Sequence, residues 1–311
     1  MLNSDPDTAD EKTTPAVKPR VLVAGATGYL GRAVLSELKK QGCWIRAIVR
    51  SPQQAAELQT QVDEVITARV TSARELTGIA DSIDVVFSSV GITRQKDGLS
   101  YQDVDYGANH NLLHEAIRAG VPLFIYTSVY NAQALGESAM VHAKERFVRE
   151  LQAAPIQSCI IRPTGFFSDM EGFMLRSALK NRAIPLFARG QQRLNPISGR
   201  DLAQVIVQCI PQAPAEVPVG GPYVYTMREL AELAFQAAGR SPKLLLLPAW
   251  CARLLRRLIV FFTPPSVHGP VEFSLLAALH DWEAPAAGSD SIADFFRQRA
   301  AQWRQDHAQD S

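Results

Sequence analysis

Three glycines spaced by two residues, Gly25-Ala-Thr-Gly28-Tyr-Leu-Gly31, stand between an apolar run, Val21–Ala24, and an amphipathic stretch from Tyr29 to about Gln41. Few folds accept that pattern. A short run that is apolar at every position suits a strand buried on both faces, as in a parallel sheet. The amphipathic stretch reads as a helix that stops at Gly42. Between them Gly25 allows a sharp exit from the strand, Gly28 lets backbone approach a ligand, and Gly31 lets the helix lie close on the sheet. The unpaired N–H groups and partial positive charge of a helix N-terminus at that point favour an anion.

The pattern continues down the chain. Strands are expected at Trp44–Val49, Glu64–Ala68, Val85–Ser88, Leu123–Thr127 and Ser158–Arg162. Helices are expected at Tyr106–Ala119, closed by Gly120, and at Ala139–Gln152. This alternation specifies an α/β fold, a Rossmann-type doubly wound parallel sheet. After Pro163 the rhythm changes to aromatics, glycines and short helical patterns, then a helix at Asp201–Ile210 and breaks at Pro211, Pro214 and Pro218. A strand at Tyr223–Tyr225 leads into the capping box Thr226-x-x-Glu229 and a helix to about Ala238. A short surface helix is expected near Ile292–Trp303. The expected organisation is a tail at 1–18, a nucleotide-binding core at 19–164 and a smaller substrate lobe with C-terminal helices at 165–311, interleaved with the core.

Thirty-two basic residues against thirty-one acidic ones give a net charge of +1, which argues against a nucleic-acid partner. The acidic, polar tail lacks the apolar core of a signal peptide and reads as disordered. No run reaches the roughly 20 apolar residues of a membrane span. The four cysteines, Cys43, Cys159, Cys209 and Cys251, are far apart in sequence, which disfavours a metal site or disulfide framework and suits the reducing cytoplasm.

The loop residues Gly25, Thr27, Gly28, Tyr29, Leu30 and Gly31 are the expected cradle of a dinucleotide pyrophosphate. Which dinucleotide is decided at the end of the second strand, where an acid would bind a ribose 2′-hydroxyl and a base would accept a 2′-phosphate. The residue there is Arg50, with no acid nearby on the strand, so the expected cofactor is NADP. Arg32 is a second possible charge for the same phosphate.

With Ile48-Val-Arg50-Ser, Asp84-Val-Val-Phe-Ser-Ser-Val-Gly91, Asp105-Tyr-Gly-Ala-Asn109, Phe124-Ile-Tyr-Thr-Ser128, Lys144 and Ile161-Arg-Pro-Thr-Gly-Phe166, the chain resembles the atypical short-chain dehydrogenase/reductases. The likeness covers about residues 20–240. It is strongest to the branch of NmrA-like proteins, divinyl chlorophyllide reductases and complex I subunit relatives, and Asn195-Pro-Ile-Ser with Asp201-Leu-Ala fits that branch. The resemblance implies that Ser89, Val90 and Gly91 pass beneath the cofactor and that Asn109 supports the site backbone. It also implies that Pro163 and Thr164 meet the nicotinamide, and that Lys144 holds its ribose. Members with the full triad place a tyrosine four residues before the lysine as proton donor; here that position is Met140, whose thioether carries no proton.

Three readings follow. One is an NADP(H)-dependent reductase whose proton comes from Lys144, Tyr130 or water, with Ser128 polarising the substrate. The second is a non-catalytic NADP(H)-binding redox sensor, and the third a structural or assembly partner of a membrane complex. Phe166, Phe167, Met170, Phe173, Met174 and Phe187 suit either a hydrophobic small-molecule substrate or the core of the lobe, and Asp169 either a polar contact or a helix cap. Leu244–Phe262, leucine-rich with Arg253, Arg256 and Arg257, reads as an amphipathic stretch that either contacts a membrane surface peripherally or packs on the domain. Oligomeric state is not legible.

Overall fold

The computed structural model describes residues 18–92, 98–263 and 265–308; the expected tail lies outside them apart from Lys18. The chain runs β1 (Arg20–Ala24), α1 (Tyr29–Lys40), β2 (Trp44–Val49), α2 (Pro52–Leu58), β3 (Glu64–Thr67), β4 (Val85–Ser88), α3 (Asn109–Arg118), β5 (Leu123–Thr127), α4 (Ala139–Ala153) and β6 (Gln157–Pro163). It continues through α5 (Phe167–Met170), α6 (Arg176–Leu179), β7 (Ile184–Phe187), β8 (Arg193–Leu194), α7 (Gly199–Gln212) and β9 (Glu216–Val219). Then follow β10 (Tyr225–Thr226), α8 (Met227–Ala238), β11 (Leu244–Leu247), α9 (Ala249–Phe262), α10 (Pro265–Ala277) and α11 (Ile292–Ala308).

Seven strands form one sheet in the order β3-β2-β1-β4-β5-β6-β9, with every neighbouring pair parallel. The reversal of strand order at β1 and β4 opens the crevice where open α/β sheets bind their ligands. Val34, Leu35 and Leu38 of α1 join Leu202 and Ile206 of α7 on one face. Leu112 and Leu113 of α3 join Phe147 and Leu151 of α4 on the other. Strands covered on both faces can be apolar throughout, and β4 and β5 are buried along their whole length. A third core, around Met174, Ile184, Leu186, Leu230, Phe235 and Phe296, builds the lobe.

The structure departs from the sequence reading in several places. Pro211, expected as a break, lies inside the last turn of α7. Pro218 lies inside β9, a seventh strand of the sheet; proline is tolerated there because β9 is an edge. The stretch expected to be continuous from Leu244 to Phe262 divides, its four leucines pairing in parallel with β7 as β11 before Pro248 caps α9. A π turn over Gln102–Ala108 takes the place of the first turn expected at Tyr106, and α3 itself begins at Asn109. The Thr226–Glu229 capping box forms as expected, and Gly120 takes a left-handed φ of 69° after α3. Among the described residues, no helix is long and apolar enough to cross a membrane.

Candidate functional site

The glycine loop has the geometry its spacing demands. Gly25 has a φ of 86°, and a Cβ there would lie 2.7 Å from the Ser89 hydroxyl oxygen. A Cβ on Gly31 would lie 2.0 Å from the Gly25 carbonyl oxygen, so α1 could not start where it does with any larger residue. Gly28 differs: its Cβ would meet only that same carbonyl, at 3.2 Å, which leaves its outer side open. Gly28 is the N-cap of α1, with no side-chain cap and no acid in the first turn. The uncapped, acid-free helix start beside an open glycine fits a pyrophosphate. Leu30 is buried beneath the loop, Thr27 is half-buried, and the Tyr29 hydroxyl accepts a hydrogen bond from the Gly199 N–H (2.9 Å), tying the loop to α7.

Arg50 stands exposed at the end of β2, where its N–H donates to the Gln54 side chain at 3.0 Å. Arg32 pairs with Glu57 (2.7 Å) and donates to the Thr27 carbonyl, so its charge is shared with an acid. Past β4, the Ser88 hydroxyl donates to the Asn109 side chain (2.6 Å), whose amide returns a bond to the Val90 carbonyl (3.2 Å). Asn109 thereby holds the turn through Ser89, Val90 and Gly91 in place, the supporting role its position implied.

Behind Gly91 lies a group that the sequence reading did not assemble. The Lys144 ammonium is 3.1 Å from a carboxylate oxygen of Asp105, which is fully buried, and 3.5 Å from the hydroxyl of the equally buried Tyr126. The other Asp105 oxygen accepts the Ile92 N–H. A Cβ on Gly91 would come within 2.7 Å of Asp105 and 3.0 Å of Lys144, so this glycine admits the ion pair to the loop. Burial works against the Lys144 charge, but the Tyr126 oxygen and the Asp105 carboxylate more than offset it and raise its pKa above the usual lysine value. Burial also pushes the Tyr126 phenol up to about 12. Tyr126 carries a hydroxyl in the fully buried strand β5, a signal that it has a buried partner.

The residues around this pair are held by partners within the protein. The Ser128 hydroxyl donates to Glu145 (2.7 Å), which is itself gripped by Arg162 through bonds of 2.6 and 3.0 Å. Tyr130 is half-buried, donates its N–H to the Pro163 carbonyl and packs on the lobe core beside Met140. Thr164 lies just past β6 and spends its hydroxyl on the Asn195 carbonyl (2.6 Å). Asn195 is fully buried, donating to the carbonyls of Gly221 and Ala284 and accepting from the Ala284 N–H. Of the lobe residues, Phe167 and Met174 are core, Phe173 is exposed, and Asp169 caps α5 by accepting the Phe166 N–H. The four cysteines are free, but Cys159 and Cys209, fifty positions apart, meet side by side in the core under the sheet.

The family model described as NAD(P)H-binding matches residues 25–213, from the first glycine of the loop to the end of α7. The chain is 28% identical to the maize chloroplastic divinyl chlorophyllide a 8-vinyl-reductase, covering 92% of this chain and 80% of the relative. It is 24% identical to the photosystem II assembly factor Ycf39 of Synechocystis, covering 78% and 75% respectively. In fold it is similar to the Escherichia coli NADPH-dependent quinone oxidoreductase complexed with NADPH, with a TM-score of 0.67 at 19% identity over 91% of this chain and 99% of that one. With that family model matching more than half of the chain, the chain belongs to the NAD(P)H-binding family of atypical short-chain dehydrogenase/reductases.

Proposed function

We propose that this protein is an NADP(H)-dependent reductase of a hydrophobic small molecule. The observation that carries the reading is the Lys144–Asp105 pair, buried directly beneath Gly91 at the carboxyl edge of the sheet. A lysine at that position can hold a nicotinamide ribose and orient the ring. The bound cofactor supplies the hydride. With Met140 in the tyrosine position, the matching proton comes from water rather than from Lys144, whose ammonium Asp105 stabilises. Ser128 is tied into the Glu145–Arg162 network, and its part is to hold the loop after β5 rather than to polarise a substrate. The test is NADPH oxidation with a panel of quinones and activated alkenes. Turnover with at least one of them, lost in Lys144→Met, is the expected result. Tight NADPH binding with no turnover would favour the sensor reading, which Met140 supports.

Arg50 is our assignment for the 2′-phosphate. Arg50→Ala should weaken NADP(H) binding about tenfold or more while leaving NAD(H) unchanged, since a bidentate guanidinium–phosphate contact is worth roughly 1.5–3 kcal/mol. Calorimetric titration with all four nucleotides checks it, and equal weakening toward both pairs would remove Arg50 from that role.

We also propose a peripheral contact with an anionic lipid surface through α9. Trp250, Leu254, Leu258 and Phe261 recur at three- and four-residue spacing and are all exposed, Phe261 by 82% and Phe262 by 74%. Arg253 and Arg257 flank that stripe in solvent, and α9 contains no acid. Arg256 instead turns inward to Glu137 and Glu272. An apolar stripe edged by cations matches the interface of an anionic bilayer. Vesicles of phosphatidylglycerol should carry the protein in flotation, and Phe261→Ser with Phe262→Ser should abolish this. No flotation on anionic vesicles, or equal flotation of that variant, sinks the proposal.

A further inference from the structure

We infer that His110, His114 and Glu150 form a binding site for a zinc-like divalent transition metal, independent of the nucleotide site and of the reductase reading. His110 and His114 are four residues apart on α3, which places both imidazoles on one face one turn apart, with ring centroids 4.3 Å apart. Glu150 reaches the same point from α4. Its carboxylate oxygen lies 2.6 Å from His110 Nδ1 and 3.9 Å from His114 Nε2, and the three ligand atoms all fall within 4.8 Å of one another.

Tetrahedral zinc with nitrogen and oxygen ligands near 2.0–2.2 Å needs ligand atoms about 3.3 Å apart. The two histidine–carboxylate contacts bracket that value and all three ligand atoms lie within 4.8 Å of one another, so side-chain adjustment of these partly exposed residues brings them round one ion. Two imidazoles with one carboxylate is a zinc-type donor set, whereas magnesium and calcium prefer oxygen ligands alone. The site is built rather than accidental in one further respect. Arg146, one turn before Glu150 on α4, is the cation best placed to neutralise it. It lies instead over the Tyr106 ring, 3.7 Å from the centroid, and donates to the Gln102 side chain. Tyr106 in turn stacks on His110 (5.6 Å, 29°) and its hydroxyl bonds Glu150, which orients both ligands. His114 is exposed by 64% on its side chain, leaving a fourth position open to water.

The ion would join α3 to α4. Asn109, adjacent to His110, holds the Val90 turn, and α4 carries Lys144, so the metal braces the two helices that frame the cofactor-binding crevice. Because the ligands are supplied by different helices, metal binding stabilises their packing and therefore the folded state.

The test uses full-length protein with any affinity tag removed, titrated calorimetrically with zinc chloride, with cobalt(II) absorption as a probe of coordination. One equivalent of zinc should bind, raise the melting temperature by a few degrees and be removed by a chelator. Both His114→Ala and Glu150→Gln should weaken binding about tenfold or more. His114 is exposed, so its truncation leaves the fold intact, and cobalt should give the visible bands of a four- or five-coordinate site only in the parent. Absence of zinc uptake, or uptake unchanged in both variants, overturns the inference. Retained NADPH binding in the variants confirms that a loss of metal is not a loss of fold.

Discussion

Gly31→Ala is expected to abolish nucleotide binding and to lower the stability of the folded protein by about 3 kcal/mol, the upper end of what overpacking costs. The added Cβ would sit 2.0 Å from the Gly25 carbonyl oxygen and under 3 Å from the Gly25 carbonyl carbon and the Ala26 Cα, all backbone atoms that no rotamer change can move. Relief requires sliding α1 away from β1, which opens the packing of Val34 and Leu35 and distorts the cradle itself. Gly28→Ala is the informative companion. Its Cβ meets one carbonyl at 3.2 Å and otherwise faces outward, so its melting temperature should stay near that of the parent while nucleotide affinity falls steeply. Thermal melts and calorimetric titrations of the two variants separate the parts of the loop. If both melt like the parent and both still bind NADPH, the loop is not the pyrophosphate site.

Lys144→Met carries the second large effect. Removing the ammonium leaves Asp105 fully buried with an ionised carboxylate and no counter-charge, and breaking a buried pair from one side costs about 3–5 kcal/mol. Asp105 escapes part of that cost by taking up a proton, since burial already pushes its carboxyl pKa up and Lys144 is the charge that opposes it. Adding Asp105→Asn to Lys144→Met removes the stranded charge and should recover most of the lost stability. On the role proposed for Lys144, turnover should not recover, because the cation assigned to the ribose is still absent. Chemical denaturation of the single and double variants, with NADPH oxidation measured on each, distinguishes the roles. Recovery of both stability and turnover in the double variant would assign the lysine a purely structural part.

The elements legible in the sequence were those with a local cause. The all-apolar run at Val21–Ala24, the glycine spacing and the Thr226–Glu229 box each act over a few residues, and each appears where its local chemistry places it. Residues whose partners are distant in sequence were legible only in part. Lys144 stood out by its place in a pattern, but its partners Asp105 and Tyr126 come from a π turn and a central strand, and nothing local announces that the three converge. Ser128 shows the opposite case. A serine at a strand end suggests a reactive hydroxyl until Glu145 and Arg162, on α4 and β6, are seen to claim it.

By itself the sequence determined the fold class and the geometry of the glycine loop, because hydrophobic periodicity and glycine conformation are properties of short segments. Only the tertiary structure decided that Pro218 belongs to an edge strand, that four leucines join β7 rather than α9, and that Cys159 meets Cys209. It also decided that two histidines of α3 meet a glutamate of α4. The reason is common to all of these. Strand pairing, edge position and side-chain convergence depend on which distant segments the packing of the core brings together, and a local pattern holds no record of that choice.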